Sequence, residues 1–306
     1  MGRHAILTAT LALGIAVATG PLAGRAQVFR GGVDVVSLNV TVVDAQQAFV
    51  TDLDETAFTV FEDGVGQNIG FFSRTHLPIA LSLLIDSSAS MEERLIVAQD
   101  AAVGFAQRVR PQDLAQIVDF DSRVSIVQGF TSDKDLLERA IRSTASGGST
   151  SLYNAIYIAL RELARVKAPS MDEVRRQAIV VLSDGEDTTS LVSFEEVMDL
   201  AKRSETSIYT IGLQPRQPSA LKGFREAEFV LRQFAQETGG RSFFVNRAEE
   251  LTTVYGQIAD ELSSQYTLGY SSKNAKRDGS WRKVLVQVTR PNVIVRTRRG
   301  YFAPSR

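Results

Sequence analysis

The chain has 306 residues, 44% of them hydrophobic, and a formal net charge of −1. That is the balance of a globular protein with one large domain and room for a smaller one, without the basic excess that would point to nucleic acid. It holds no cysteine and only two histidines, His4 and His76, which excludes disulfides, thiolate catalysis, Cys-ligated zinc and any multi-histidine metal site. A Ser-His-Asp triad could draw only on His76, because His4 lies in a leader.

Residues 1–26 read as an export signal. Arg3 and His4 make a thin charged start, "AILTATLALGIAVATG" is an apolar run, and "GRA" at 24–26 offers small residues before Gln27. The run is short and rich in Ala, Gly and Thr, whereas a span takes about 20 strongly apolar residues; an uncleaved anchor is the alternative. No lipid-attachment cysteine is available and no later stretch could cross a membrane, so the mature protein is expected in the periplasm or secreted.

Residues 33–43, "VDVVSLNVTVV", alternate Val36, Leu38, Val40 and Val42 against Ser37, Asn39 and Thr41, the mark of a half-buried strand. The sequon at Asn39 falls inside that strand and carries little weight. "FTVFEDGVGQNIGFF" (58–72) reads as two strands around the Asp63-Gly64 turn. From residue 78 the texture changes. "IALSLLI" (79–85) is continuously apolar, as in a strand covered on both faces, and a helical pattern follows until Pro111. Strands are expected at 114–120 and 123–130 around Asp121-Ser122, helices at 132–141 and 151–166, and a doubly buried strand at 177–183. A helix at 193–204 opens with a capping box of Ser193 and Glu196. A strand at 207–213, a helix at 224–240, a short strand at 241–245 and a last helix at 248–265 complete the series. Apolar strands alternating with amphipathic helices imply an α/β fold with a doubly wound, mainly parallel sheet.

After Tyr266 the pattern returns to β. Residues 271–306 carry ten Lys or Arg against Asp278, a net of +9; residues 27–78 carry seven Asp or Glu against Arg30 and Arg74, a net of −5. Neither segment is large enough to bury a core alone, so the two are expected to pair as one β-sandwich with the α/β domain inserted between them. The expected division is a signal peptide at 1–26, sandwich segments at 27–77 and 266–306, and the α/β domain at 78–265. The alternative is a basic tail for anionic polymers, against which the alternation in "KVLVQVT" argues. Trp281 and the Phe243-Phe244 pair read as β core, and His76 as a surface or linker residue.

In a doubly wound sheet the ligand crevice lies at the carboxyl ends of the strands. "LSLLIDSSAS" (81–90) delivers Asp86, Ser88 and Ser90 there. "LSDGEDTT" (182–189) adds Asp184, and the glycine-rich "SGGSTSLYNA" (146–155) brings Thr150 to a helix start. Taken singly, each could be a helix cap or a turn. Together they make an all-oxygen set of two carboxylates and three hydroxyls, suited to a hard cation, Mg²⁺ or Mn²⁺, with Ca²⁺ less suited. Glu186 and Asp187 read as turn solvation on the rim, and Asp119 and Asp121 as part of a hairpin turn on the same face.

These motifs resemble the von Willebrand factor type A family and its metal-ion-dependent adhesion site over roughly residues 78–265. The D-x-S-x-S element matches at Asp86, Ser88 and Ser90, the family's threonine at Thr150, and its second aspartate at Asp184. "FEDG" and the ending "RRGYFAP" further resemble an exported bacterial subgroup, the VWFA-related proteins. The resemblance implies hydroxyl ligation by Ser88, Ser90 and Thr150, aspartates binding directly or through water, and an open position for a ligand's carboxylate. Neutral hydroxyls leave a cation electrophilic, so an incoming Asp or Glu from a partner protein or peptide neutralises real charge. The expected function is therefore a non-enzymatic adhesion or interaction module. No general base or partnered nucleophile stands beside the loops to favour the alternative, a metal-dependent hydrolase; a third reading is a structural envelope scaffold with a vestigial site. Nothing in the sequence speaks to oligomeric state.

Overall fold

The computed structural model describes residues 35–75, 77–166, 175–214 and 221–305; the expected export signal and His76 lie outside them. The alternating stretch forms β1 (Val35–Asp44), with Val36, Leu38, Val40 and Val42 buried. Thr41, on the face expected to be polar and open, is also buried, because that face of β1 packs on the α/β unit. The stretch 58–72 gives three strands rather than two: β2 (Phe58–Glu62), β3 (Val65–Gln67) and β4 (Ile69–Ser73). Asp63 and Gly64 turn with φ of +48° and +82°, and past β3 the chain leaves one sheet for the other.

In the α/β unit, β5 (Ile79–Asp86) is buried at every residue. It is followed by α1 (Leu95–Ala106), β6 (Leu114–Phe120), β7 (Val124–Thr131), α2 (Lys134–Arg142) and α3 (Leu152–Leu163). Then come β8 (Arg176–Ser183), α4 (Phe194–Arg203), β9 (Thr206–Leu213), α5 (Leu221–Thr238), β10 (Ser242–Val245) and α6 (Leu251–Ser264). The six strands form one sheet in the order β10-β9-β8-β5-β6-β7, parallel except for β7. Helices α1, α2 and α6 cover one face and α3, α4 and α5 the other, each over its own apolar layer. The capping box at Ser193 and Glu196 opens α4 as expected.

The chain ends in β11 (Tyr266–Ser271), β12 (Trp281–Val288), β13 (Val293–Arg296) and β14 (Gly300–Phe302). The two antiparallel sheets of the sandwich run β13-β1-β11-β4 and β14-β12-β2-β3, so each is woven from both ends of the chain. Between them lies a core that includes Leu38, Val40, Phe58, Val60, Tyr266, Leu268 and Tyr270. It also encloses an ion pair: Glu62 and Arg282, each 2% exposed, meet at 3.3 Å. Glu62 accepts further from the hydroxyls of Ser272 (2.6 Å), Tyr301 (2.8 Å) and Tyr270 (2.9 Å).

The charge complementarity that predicted the pairing is realised only in part. Arg282 and Arg290 bond to acids of the N-terminal segment, Glu62 and Asp52, but Arg296 and Arg299 pair with Glu261 and Glu237 of the α/β unit. Glu261 is fully buried on α6 and also accepts from Tyr209 (2.9 Å) on β9 and Thr41 (3.3 Å) on β1. Trp281 is not sandwich core. As the first residue of β12 it lies at the seam with α4, edge-on to Phe302 and beneath the Lys202 ammonium at 5.3 Å. Gly239, after α5, seals the same junction: its φ is +81°, and a Cβ there would stand 2.5 Å from the Arg298 backbone nitrogen.

Candidate metal centre

The residues singled out in the sequence lie at the carboxyl end of the six-stranded sheet. β5 delivers Asp86, whose fully buried carboxylate accepts from the Ser88 amide (2.9 Å) and the Ser183 hydroxyl (2.6 Å). The chain then tightens into a 3-10 turn over Ala89–Met91, which brings the Ser88 and Ser90 hydroxyls to 3.1 Å from each other. Ser90 donates to Asp184 Oδ1 at 2.6 Å, just past β8. Asp86, Ser88, Ser90 and Asp184 thus form one connected cluster.

Thr150 arrives on a loop pinned by backbone bonds. Gly147 donates to the Ser87 carbonyl (2.8 Å), and Ala89 donates to the Gly148 carbonyl (3.1 Å). Gly148 has φ +70° and lies so close to the β6–β7 turn that a Cβ would meet the Ser122 hydroxyl at 2.5 Å; only glycine permits that approach. The Thr150 carbonyl accepts from the amides of Thr188 (2.9 Å) and Thr189 (3.2 Å), tying its loop to that of Asp184. A Cβ on Gly185 would lie 3.9 Å from the Thr150 hydroxyl. That hydroxyl joins no hydrogen bond with the other four residues.

Burial dominates the electrostatics. It pushes the Asp86 carboxyl up to about 7, against the hydrogen bonds from Ser183 and Ser88 and with a further upward push from the Asp184 charge. Asp184 is also raised, chiefly by burial, with Ser90 and Arg94 acting the other way. Arg94 was not visible as a site residue in the sequence, where an arginine opening an apolar helical run reads as surface charge. Its side chain is 8% exposed and donates to Asp184 Oδ2 at 2.8 Å and to the Gln214 carbonyl at 3.1 Å. Asp86 has no such cationic partner among the described residues.

Of the rim residues, Asp121 takes its expected place and Asp187 does more than expected. Asp187 does not merely solvate a turn: it accepts from the Tyr153 amide (3.1 Å) in the first turn of α3 and from the Ser190 hydroxyl (2.6 Å). Asp121 closes the hairpin turn by accepting from the Arg123 amide (2.8 Å). Asp119 Oδ1 is buried without a hydrogen-bond partner. Among the described residues no three His, Cys, Asp or Glu side chains cluster as a metal site. The donors here are two carboxylates and a set of hydroxyls, an all-oxygen chemistry that fits a hard cation.

The von Willebrand factor type A domain model matches residues 81–257. A UPF0353 protein of Mycolicibacterium vanbaalenii is 24% identical over 65% of this chain and 64% of its own length. Calcium-activated chloride channel regulator 1 of Equus caballus is 25% identical over 63% of this chain and 21% of its own. The chain thus matches less than two thirds of the length of these relatives. Among solved structures, a von Willebrand factor type A protein from Catenulispora acidiphila superposes with TM-score 0.53 over 90% of this chain and 76% of that one, at 10% identity. Proximal thread matrix protein 1 from the mussel byssus does so with TM-score 0.50 over 62% and 49%, at 15% identity. Both show a shared fold. With more than half of its residues matched by the model and its sheet order, helical layers and strand-end cluster as described, the chain belongs to the von Willebrand factor type A domain family.

Proposed function

We propose that this chain is an exported, non-enzymatic interaction module in which Asp86, Ser88, Ser90, Thr150 and Asp184 hold Mg²⁺ or Mn²⁺, and through it an Asp or Glu carboxylate of a partner protein. One observation carries the reading. Asp86 is a wholly buried carboxylate without a cationic partner among the described residues, surrounded by hydroxyl oxygens that can turn their lone pairs toward a cation. When bound, the cation supplies a Lewis-acidic position for an incoming carboxylate.

The charge balance of the chain's own residues favours an anionic ligand. With a cation bound, the two carboxylates of the cluster carry two negative charges, and Arg94 cancels one of them. A divalent cation therefore leaves the site with one net positive charge, which a single carboxylate neutralises. Membership in a family of protein-interaction domains supports the binding role. Export rests on the leader at 1–26, and no helix of the described residues is long and apolar enough to cross a membrane.

Calorimetric titration of Mg²⁺ and Mn²⁺ into wild type and Asp86→Ala tests the metal, with saturable heat expected only for wild type. Capture from envelope extract with and without chelator tests the partner. Its binding should vanish with chelator, return with Mg²⁺, and fail when the partner's key acid becomes its amide. Equal metal affinity in Asp86→Ala, or capture indifferent to chelator, would sink the proposal.

A further inference from the structure

A second feature lies far from the metal loops, in the seam between the two units. A cleft of about 590 Å³ opens there, lined by Arg203, Arg298, Arg282, Lys276 and Arg277, with Glu205 the only acid among its described lining residues. Five cations against one carboxylate is a steep local imbalance in a chain whose net charge is −1.

Three of the five, Arg203, Arg277 and Arg282, have partners of their own. Arg203 bonds to Asp199 at 2.7 Å and stacks over the Phe302 ring, and Arg282 belongs to the Glu62 network. Arg298 is different. Its side chain is 10% exposed, its Nε is buried without a partner, and its nearest carboxylate, Glu205, stands 3.9 Å away, too far for a hydrogen bond. A buried Nε with no acceptor is costly, and the rest of the guanidinium has only the long Glu205 ion pair and the Tyr301 ring, 5.6 Å from its carbon, beside it. Lys276 is held ready on the rim. Arg282 fixes its loop from below by donating to the Ser272 hydroxyl (2.8 Å), the Asn274 carbonyl (2.9 Å) and the Lys276 carbonyl, while the Lys276 ammonium is exposed.

We infer that this cleft is an oxyanion-binding site for a phosphate or sulfate group, with Arg298 at its floor and Lys276 at its rim. A tetrahedral oxyanion suits Arg298 and Lys276 together better than a planar carboxylate, because its acceptors point in more directions. It offers oxygens to the Arg298 fork and to the Lys276 point charge at once. Tyr301 and Pro304 on the same walls can flank the organic part of an ester.

The test uses inorganic phosphate, sulfate and a simple phosphate monoester as probes, titrated by calorimetry into the full chain at constant ionic strength, with chloride and acetate as controls. Saturable binding of phosphate or sulfate is expected, weakened about tenfold or more in Arg298→Met, the loss of one charge-assisted contact. Tighter binding of the monoester than of free phosphate would mark an ester as the natural ligand, and equal binding the free ion. Arg298→Met gives up a long ion pair with Glu205 and a position over the Tyr301 ring, so its folding is checked by circular dichroism before titration. Glu205→Gln should bind more tightly, since it removes the one opposing carboxylate. Should Arg298→Met fail to fold, Lys276→Gln, at an exposed position, carries the same loss of affinity. Binding no stronger than chloride, or unchanged in both Arg298→Met and Lys276→Gln, would overturn the inference.

Discussion

Replacing Glu62 by Ala should be among the most damaging single changes in the sandwich. The substitution leaves Arg282, 2% exposed, without its carboxylate and strips the Tyr270, Tyr301 and Ser272 hydroxyls of their shared acceptor. Breaking a buried pair from one side costs about 3–5 kcal/mol. For a protein of this size that lowers the melting temperature by about 6–20 °C, at roughly 2–4 °C per kcal/mol. The chain has a single tryptophan, Trp281 at the seam beside Phe302, so its fluorescence reports on the sandwich while far-UV circular dichroism follows the helices of the α/β unit. Urea titrations read by both probes should show the loss first and most strongly in fluorescence. Glu62→Leu combined with Arg282→Met should cost less than Glu62→Ala alone, because no charge is then stranded. A loss below about 1 kcal/mol for Glu62→Ala, the scale of an exposed pair, would refute the view that this network holds the two chain ends together.

Three other outcomes are expected. Arg94→Met strands Asp184, so it should lower the melting temperature without added metal and enlarge the gain produced by Mg²⁺, as measured by thermal denaturation with and without the cation; an Mg²⁺ shift equal to that of wild type would contradict it. Deleting residues 266–306 removes β11 to β14, the partners of β1, β2 and β4, so limited proteolysis should then cut within 35–73, which in the intact chain should resist. Gly239→Ala forces a Cβ into left-handed backbone against Arg298 and should cost at least about 1 kcal/mol in chemical denaturation, whereas Gly104→Ala, with open space around it in α1, should stabilise or be neutral.

The fold was largely legible because its signals are local. The continuous apolar run of β5, the alternation in β1 and β12, and the capping box of α4 each announce an element from within ten residues. The cluster at the sheet's end was legible for a related reason: Asp86, Ser88 and Ser90 are spaced two apart along one turn, and Asp184 follows an unmistakable strand. What escaped is long-range. Glu62 stands in a stretch that reads as an ordinary turn acid, yet its partner is 220 residues away. Glu261 reads as a polar face of α6 and proves to be buried against β1 and β9. Arg94 looks like helix solvation until β8 brings Asp184 to it. A buried charge is recognisable only from its partner, and a single sequence does not say which residues become neighbours. Trp281 was misplaced for the converse reason: its hydrophobicity announced burial but not between which units.

The weaving of both chain ends into each sandwich sheet also sets an order of events at birth. At about 5–20 residues per second, the ribosome makes Glu62 some ten to forty-five seconds before Arg282, the residue 220 positions on that pairs with it. For that interval β1 and β4 lack every strand partner and β2 has only β3, while the α/β unit behind them gains everything its own sheet requires. The early strands are the segment most in need of a holdase during synthesis. The last forty residues then act as a fastener that closes two half-built sheets against the α/β unit, and the rate of that closure should govern how quickly the sandwich strands become resistant to proteases.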